Sequence, residues 1–205
     1  MRFEPEYLDV TAQAALLDDI AAILGDAPLV TPKMPRTGKP FSVTMSNCGA
    51  LGWISDQAGG YRYGPHHPQT GLPWPAIPAR LLQVWKDLAR CPRAPQACLI
   101  NHYGPGAKLG LHQDRDEADL GAPIVSLSLG DTAVFRLGGT ARKGATQSFR
   151  LANGDAMVLE GASRLAFHGV DRILAGSSKL LDRHGDLFPH GGRINLTMRV
   201  VTPAS

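Results

Sequence analysis

The segment Leu109-Gly110-Leu111-His112-Gln113-Asp114 sets an imidazole and a carboxylate two residues apart. In an extended strand, residues two apart project to the same side, so His112 and Asp114 can reach one point. A third ligand is available at His168, within Leu165-Ala166-Phe167-His168-Gly169. Two imidazoles and one carboxylate on one face of an octahedron leave three positions open. That arrangement suits Fe(II) centres that bind both a co-substrate and O2. The plainer reading of the same residues is a solvated His–Asp pair and an ordinary part-buried histidine. A second His-x-Asp, His184-Gly185-Asp186, lies in a polar, glycine-containing stretch without strand pattern and cannot fix two side chains on one face well.

The last apolar run adds a second chemistry. In Arg193-Ile194-Asn195-Leu196-Thr197-Met198-Arg199-Val200, the polar residues Arg193, Asn195, Thr197 and Arg199 share one face and the apolar residues the other. Two arginines aimed to one side of a strand are costly if desolvated and unpaired. Either they stand in water at a sheet surface, or they face a dicarboxylate, whose oxygens a guanidinium fork matches in pairs. Asn101 and Tyr103, again two apart, can supply further donors from a neighbouring strand.

These residues need a scaffold of short strands. Candidate strands are Ala97–Tyr103, Ile124–Leu129, Ala133–Leu137, Gln147–Leu151, Ala156–Leu159, Arg164–His168 and Arg193–Val201. Gly130-Asp131, Gly138-Gly139, Asn153-Gly154 and Glu160-Gly161 punctuate them. Such spacing predicts a sandwich or jelly roll. Ahead of it, Thr11–Leu24 carries helical spacing with Gly25 as its stop, and Ala79–Ala89 reads as a second amphipathic helix. The stretch between them begins with a short β run, Phe41–Met45. It continues into loops rich in Gly, Pro and aromatics that hold Trp53, Tyr61, Tyr63 and Trp74. The expected class is α+β in one domain: residues 1–96 helical and loop-bearing, residues 97–205 a β core.

Composition bounds the rest. The 205 residues are 43% apolar and 19% charged, with 23 Gly and 16 Pro, as in a folded, turn-rich chain. No apolar run approaches the roughly 20 residues that span a bilayer, and the amino terminus lacks signal-peptide character. A cytoplasmic monomer is the expectation. Three cysteines without CxxC spacing argue against a disulfide framework and a thiolate zinc site, and predict buried free thiols. A net charge of +3 is too small to indicate nucleic-acid binding by itself, although Arg62, His66, His67, Lys108 and Arg115 crowd the aromatic and His112 segments.

Several ordered blocks together carry a resemblance. They are Asn101-His102-Tyr103-Gly104-Pro105-Gly106, His112-Gln113-Asp114, His168 and Arg193-Ile194-Asn195-Leu196-Thr197-Met198-Arg199. Supporting blocks are Asn47-Cys48-Gly49 with Trp53, Trp74-Pro75-Ala76, Ala122-Pro123-Ile124-Val125-Ser126, and Glu160-Gly161. From about Phe41 to Arg199 the chain resembles the AlkB family of oxidative dealkylases, most strongly its bacterial DNA-repair branch. That resemblance implies a double-stranded β-helix (jelly-roll) core with amino-terminal helices and a nucleotide-recognition lid. It implies Fe(II) held by His112, Asp114 and His168, with 2-oxoglutarate and O2 as co-substrates. Arg193 would pair the distal carboxylate of 2-oxoglutarate, helped by Asn101, Tyr103 and Asn195, and Arg199 would lie near its metal-bound end.

The implied reaction hydroxylates the N-alkyl carbon of bases such as 1-methyladenine and 3-methylcytosine in alkylated DNA. It releases formaldehyde, succinate and CO2. Trp53 and Tyr61 resemble nucleotide-lid residues, with Tyr63 beside them, and Arg142 resembles a substrate-contacting arginine. Asp116 could face the base's exocyclic amine, stand in water, or pair with Arg199. The short amino terminus, the Pro35–Lys39 insertion and the Asp56–Gly60 stretch depart from the family pattern and concern the lid. The competing readings are the same chemistry on RNA or on a substrate that is not nucleic acid, and a non-enzymatic jelly-roll metal-binding protein.

Overall fold

Strict alternation in Arg193–Arg199 makes this segment a central strand, with one face for the core and one for the site. In the computed structural model, which describes residues 1–203, it is β12, hydrogen-bonded on both edges. The strands in chain order are β1 (Arg2–Glu4), β2 (Thr44–Gly49), β3 (Gly52–Asp56), β4 (Gly60–Gly64), β5 (Ala97–Tyr103) and β6 (Leu109–His112). They continue as β7 (Ile124–Gly130), β8 (Thr132–Leu137), β9 (Gln147–Leu151), β10 (Ala156–Leu159), β11 (His168–Leu174) and β12. The major sheet runs β1-β10-β7-β12-β5-β2 and the minor sheet β6-β11-β8-β9, while β3 and β4 form a separate hairpin. All pairings between these strands are antiparallel.

The outer face of the major sheet carries the apolar half of β12, Ile194, Leu196 and Met198, beside Ile100 of β5 and Leu127 of β7. All five are buried with α1 (Val10–Asp26) and α2 (Ala79–Leu88), which contribute Leu16, Leu17, Ile20, Leu81 and Trp85. Each such side chain contributes about 1.5–3 kcal/mol when fully buried. A second apolar cluster joins the two sheets, with Tyr103, Ile124, Met157 and Leu159 from the major sheet and Ala133, Phe135, Leu151 and Val170 from the minor one. The expected α+β jelly-roll class with amino-terminal helices is what the chain adopts.

Several boundaries differ from the sequence reading. Helix α1 begins at Val10, where the Asp9 side chain accepts from the Ala12 amide, and passes through Gly25. It stops at Ala27 because Pro28 disfavours helical backbone at the residue before it. The early β run starts at Thr44 rather than Phe41. The aromatic stretch, read as loops, folds as the β3–β4 hairpin. Arg164–His168 is not a strand; a 3-10 turn spans Gly161–Ser163, and β11 starts at His168. Of the thiols, Cys48 and Cys98 are buried and free, but Cys91 is only half-buried. Among the described residues, no helix is long and apolar enough to cross a membrane.

Candidate metal centre and co-substrate pocket

His112 closes β6 and His168 opens β11, and the two are direct cross-strand partners. Gly169 permits this approach: a Cβ there would lie 2.5 Å from the Leu109 carbonyl oxygen. The imidazole centroids stand 4.5 Å apart. Each Nδ1 lies 2.9 Å from a backbone carbonyl oxygen, of Gly110 and Ala166 respectively. An Nδ1–H donating to that carbonyl leaves both Nε2 lone pairs free for a metal. Those Nε2 atoms lie 3.6 and 3.5 Å from the two oxygens of Asp114. One ligand atom from each residue falls within 4.8 Å of the others.

Asp114 does not reach this point by regular strand alternation, because β6 ends at His112. The segment beyond is braced instead. Gln113 Nε2 donates to the Leu165 carbonyl at 2.6 Å, and Arg164 Nη1 to the Asp114 carbonyl at 2.7 Å. These bonds tie the first ligand segment to the one that precedes His168. Burial pushes the Asp114 carboxyl up, but Arg199 and His168 outweigh it and hold Asp114 well below the usual carboxylate range. Burial and the neighbouring His168 lower His112. His168 is raised, since Asp114 overcomes its burial.

Arg199 sits 2.8 Å from Asp114 Oδ2 through Nη2 and donates through Nη1 to Glu117 Oε1 at 2.6 Å. Glu117 has no exposed side-chain surface. Its Oε1 accepts from the Tyr63 hydroxyl at 2.5 Å, and its Oε2 from Arg164 Nη2 at 3.1 Å. Burial raises Glu117, yet Arg199 and the Tyr63 hydroxyl bring it below its ordinary value. The Arg199–Asp116 pair considered from sequence is therefore not the one that forms. Tyr63 points into this network rather than out toward a ligand.

The other end of β12 is different. Arg193 is only 1% exposed, and its Nε and Nη1 find no partner among the described residues. Burial lowers its pKa to about 10, so it stays charged at neutral pH. Tyr103, also buried and pushed up to about 12, pairs with Arg193 across the β5–β12 ladder. Asn101, with Oδ1 unpaired, pairs likewise with Asn195. Arg193, Tyr103, Asn101 and the triad all line one cavity between the sheets. A buried cation with unused donors beside a His-Asp-His cluster fits a chelating dicarboxylate held next to a metal. Asn195 lines the cavity too, but its amide hydrogens go to Ser126 Oγ and the Leu127 carbonyl and its Oδ1 accepts from Thr197, so it links strands.

Beyond the triad segment, Trp53 of β3 donates from Nε1 to Asp116 Oδ2 at 2.8 Å and lines a second cavity with Met45, Asn47 and Trp74. The ring of Tyr61 stacks on Trp53 at 5.5 Å and stays about half exposed, and Phe41 meets Trp53 edge-on. Arg142 is solvent-exposed on the β8–β9 connection. His67, grouped by sequence with surface cations, is buried: its Nδ1 accepts two backbone amides and its Nε2 lies 2.9 Å from the Pro28 carbonyl. Arg62 is engaged by Asp56. The second His-x-Asp also has a separate fate, with His184 bonded to Asp18 of α1.

Sequence reasoning missed Glu117 and Arg164. The available signal was slight: an arginine desolvated on the site face of β12 calls for a carboxylate, and Glu117, three residues past Asp114, is one of only four glutamates in the chain.

The 2OG-Fe(II) oxygenase superfamily model matches residues 1–199. An alpha-ketoglutarate-dependent dioxygenase AlkB homolog of Caulobacter vibrioides is 53% identical over 195 residues, covering 95% of this chain and 84% of that protein. Alpha-ketoglutarate-dependent dioxygenase AlkB of Escherichia coli is 45% identical over 178 residues, covering 80% and 77%. The solved structure of OsALKBH1 superposes with a TM-score of 0.79 at 31% identity, covering 97% of each chain.

Proposed function

This chain belongs to the 2OG-Fe(II) oxygenase superfamily and, within it, to the AlkB dioxygenases, and from that membership we propose that it repairs alkylated DNA by oxidative demethylation of bases such as 1-methyladenine and 3-methylcytosine. It is an enzyme of the Fe(II)- and 2-oxoglutarate-dependent class, with O2 as the oxidant. The observation that carries the reading is Arg193, a charged guanidinium with two unused donors, buried in the cavity that holds the His-Asp-His cluster.

Fe(II) and 2-oxoglutarate, when bound, supply the oxidation: O2 hydroxylates the N-alkyl carbon and converts 2-oxoglutarate to succinate and CO2, and the hydroxylated methyl leaves as formaldehyde. The protein's own part is placement. His112, Asp114 and His168 would hold the iron, with Gly110 and Ala166 fixing the imidazole tautomers. Arg193 would take the distal carboxylate as a fork, with Tyr103 and Asn101 beside it. Arg199 would hold the Asp114 carboxylate in orientation and lie near the metal-bound end of the co-substrate.

A base inside a duplex cannot reach such a centre, so it must be flipped out or presented on a single strand. Trp53 and Tyr61 would give it a stacking platform, and Asp116, which accepts from the indole, would accept from an exocyclic amine. Arg142 would contribute a phosphate contact from the rim. The reading describes a cytoplasmic monomer. Matched DNA and RNA oligonucleotides, each with one 3-methylcytosine, test it by mass after incubation with 2-oxoglutarate. Faster loss of methyl from DNA is the expected result. Turnover confined to RNA would move the substrate class, and succinate release without methyl loss would reject methylated bases.

A further inference from the structure

Glu117 is a wholly buried carboxylate that makes three contacts, each to a different part of the molecule. Arg164 Nη2 holds Oε2 at 3.1 Å, and also ties the Asp114 and Ala122 carbonyls through its other nitrogens. Arg199 Nη1 and the Tyr63 hydroxyl both meet Oε1, at 2.6 and 2.5 Å. Tyr63 belongs to β4 and stands opposite Trp53 in the hairpin register. The hairpin is thus tied to the segment after Asp114 at two points, Trp53 to exposed Asp116 and Tyr63 to buried Glu117.

The inner tie has a geometric consequence. A guanidinium is a rigid planar fork, so fixing Nη1 on Glu117 also fixes the direction of Nη2. That second nitrogen grips Asp114 Oδ2 at 2.8 Å, while Oδ1 is left toward His112. An unbroken line of charged hydrogen bonds runs from the hairpin to a metal-facing carboxylate through a dry interior, where such bonds are strongest. Building on the metal reading above, we infer that Glu117 is a positioning residue that couples seating of the β3–β4 hairpin to the orientation of Asp114. Because linkage is reciprocal, metal binding then tightens the hairpin by the same factor by which a seated hairpin tightens metal binding.

The alternative is that Glu117 only neutralises two buried arginines, in which case its loss lowers stability and leaves metal affinity unchanged. The test uses the full chain without turnover: Mn(II) titration of the apo protein, and amide hydrogen exchange over residues 52–64 with and without Mn(II). Wild type is compared with H112A, E117Q and Y63F. The coupling predicts that E117Q weakens Mn(II) binding on the order of 10–100-fold, the range seen when a ligand's supporting partner is removed. Y63F, which touches no metal ligand, weakens it by a few-fold on the same grounds, and in both variants Mn(II) no longer slows exchange in the hairpin. Unchanged Mn(II) affinity in Y63F and E117Q, or hairpin exchange indifferent to Mn(II) in wild type, overturns the coupling. Equal Mn(II) binding by wild type and H112A overturns the metal reading itself, and the coupling with it. Where E117Q fails to fold, Y63F decides alone.

Discussion

Replacing Arg193 by Met should make the protein more stable while removing its co-substrate affinity. The stem of Arg193 is packed in the core, and Met preserves most of that contact while deleting the guanidinium. Nε and Nη1 are buried and have no partner among the described residues. Each unmet buried donor costs about 1–3 kcal/mol, so the substitution returns roughly 2–3 kcal/mol even after some loss of packing. For a chain of about 200 residues, each kcal/mol moves Tm by roughly 2–4 °C, which gives a rise of roughly 4–12 °C. The same two donors, charge-assisted on a carboxylate, contribute at least about 3 kcal/mol to binding, so Kd for 2-oxoglutarate rises by more than about 100-fold. Anaerobic thermal melts with Mn(II), with and without 2-oxoglutarate, separate the two effects. At ~100 times Kd the ligand stabilises wild type by about 2.7 kcal/mol and leaves R193M unmoved. A variant that melts lower than wild type without ligand, or that still gains stability from 2-oxoglutarate, refutes the reasoning.

Two further outcomes follow from the site. Metal ligation needs neutral imidazoles, and Asp114 raises His168 while burial lowers His112. Protons therefore compete first at His168, and Mn(II) affinity should decline from somewhat above pH ~6.5 downward, with a slope approaching one proton; a flat profile between pH 8 and 5.5 would remove His168 from the ligand set. Trp53→Ala deletes the stacking platform, and the KM for methylated oligonucleotide should rise roughly 5–150-fold, from about 1–3 kcal/mol per stacked base. Succinate release without oligonucleotide should stay at the wild-type rate, and a parallel loss of both would mean that Trp53 supports the fold instead.

The strand carrying the arginines was legible because its alternation is unbroken from Arg193 to Arg199 and its two faces meet different surroundings, helices outside and cavity inside. The two histidines were legible as a motif, but the route by which Asp114 joins them was not. It depends on Arg164 and Gln113, whose roles arise from contacts 50 and 52 residues away in sequence. The hairpin escaped because Gly52–Gly64 is read by composition as loop, whereas its pairing aligns Trp53 with Tyr63 across a turn at Asp56–Gly60. Tyr63 and Tyr61 illustrate the limit: two residues of one type, two apart and so on the same face of β4, yet one meets Glu117 and the other stacks on Trp53 and stays exposed, because their tertiary neighbours differ. No local pattern distinguishes the buried Glu117 from the exposed Asp116 next to it.

The most direct test of the account counts two products in one reaction. Protein loaded with Fe(II) is given 2-oxoglutarate, air and an oligodeoxynucleotide bearing 1-methyladenine, and succinate and demethylated base are measured together in wild type and H112A. The account predicts demethylated base accompanied by at least as much succinate in wild type, and neither in H112A. Demethylation by H112A at the wild-type rate, or base repair without succinate, would contradict it.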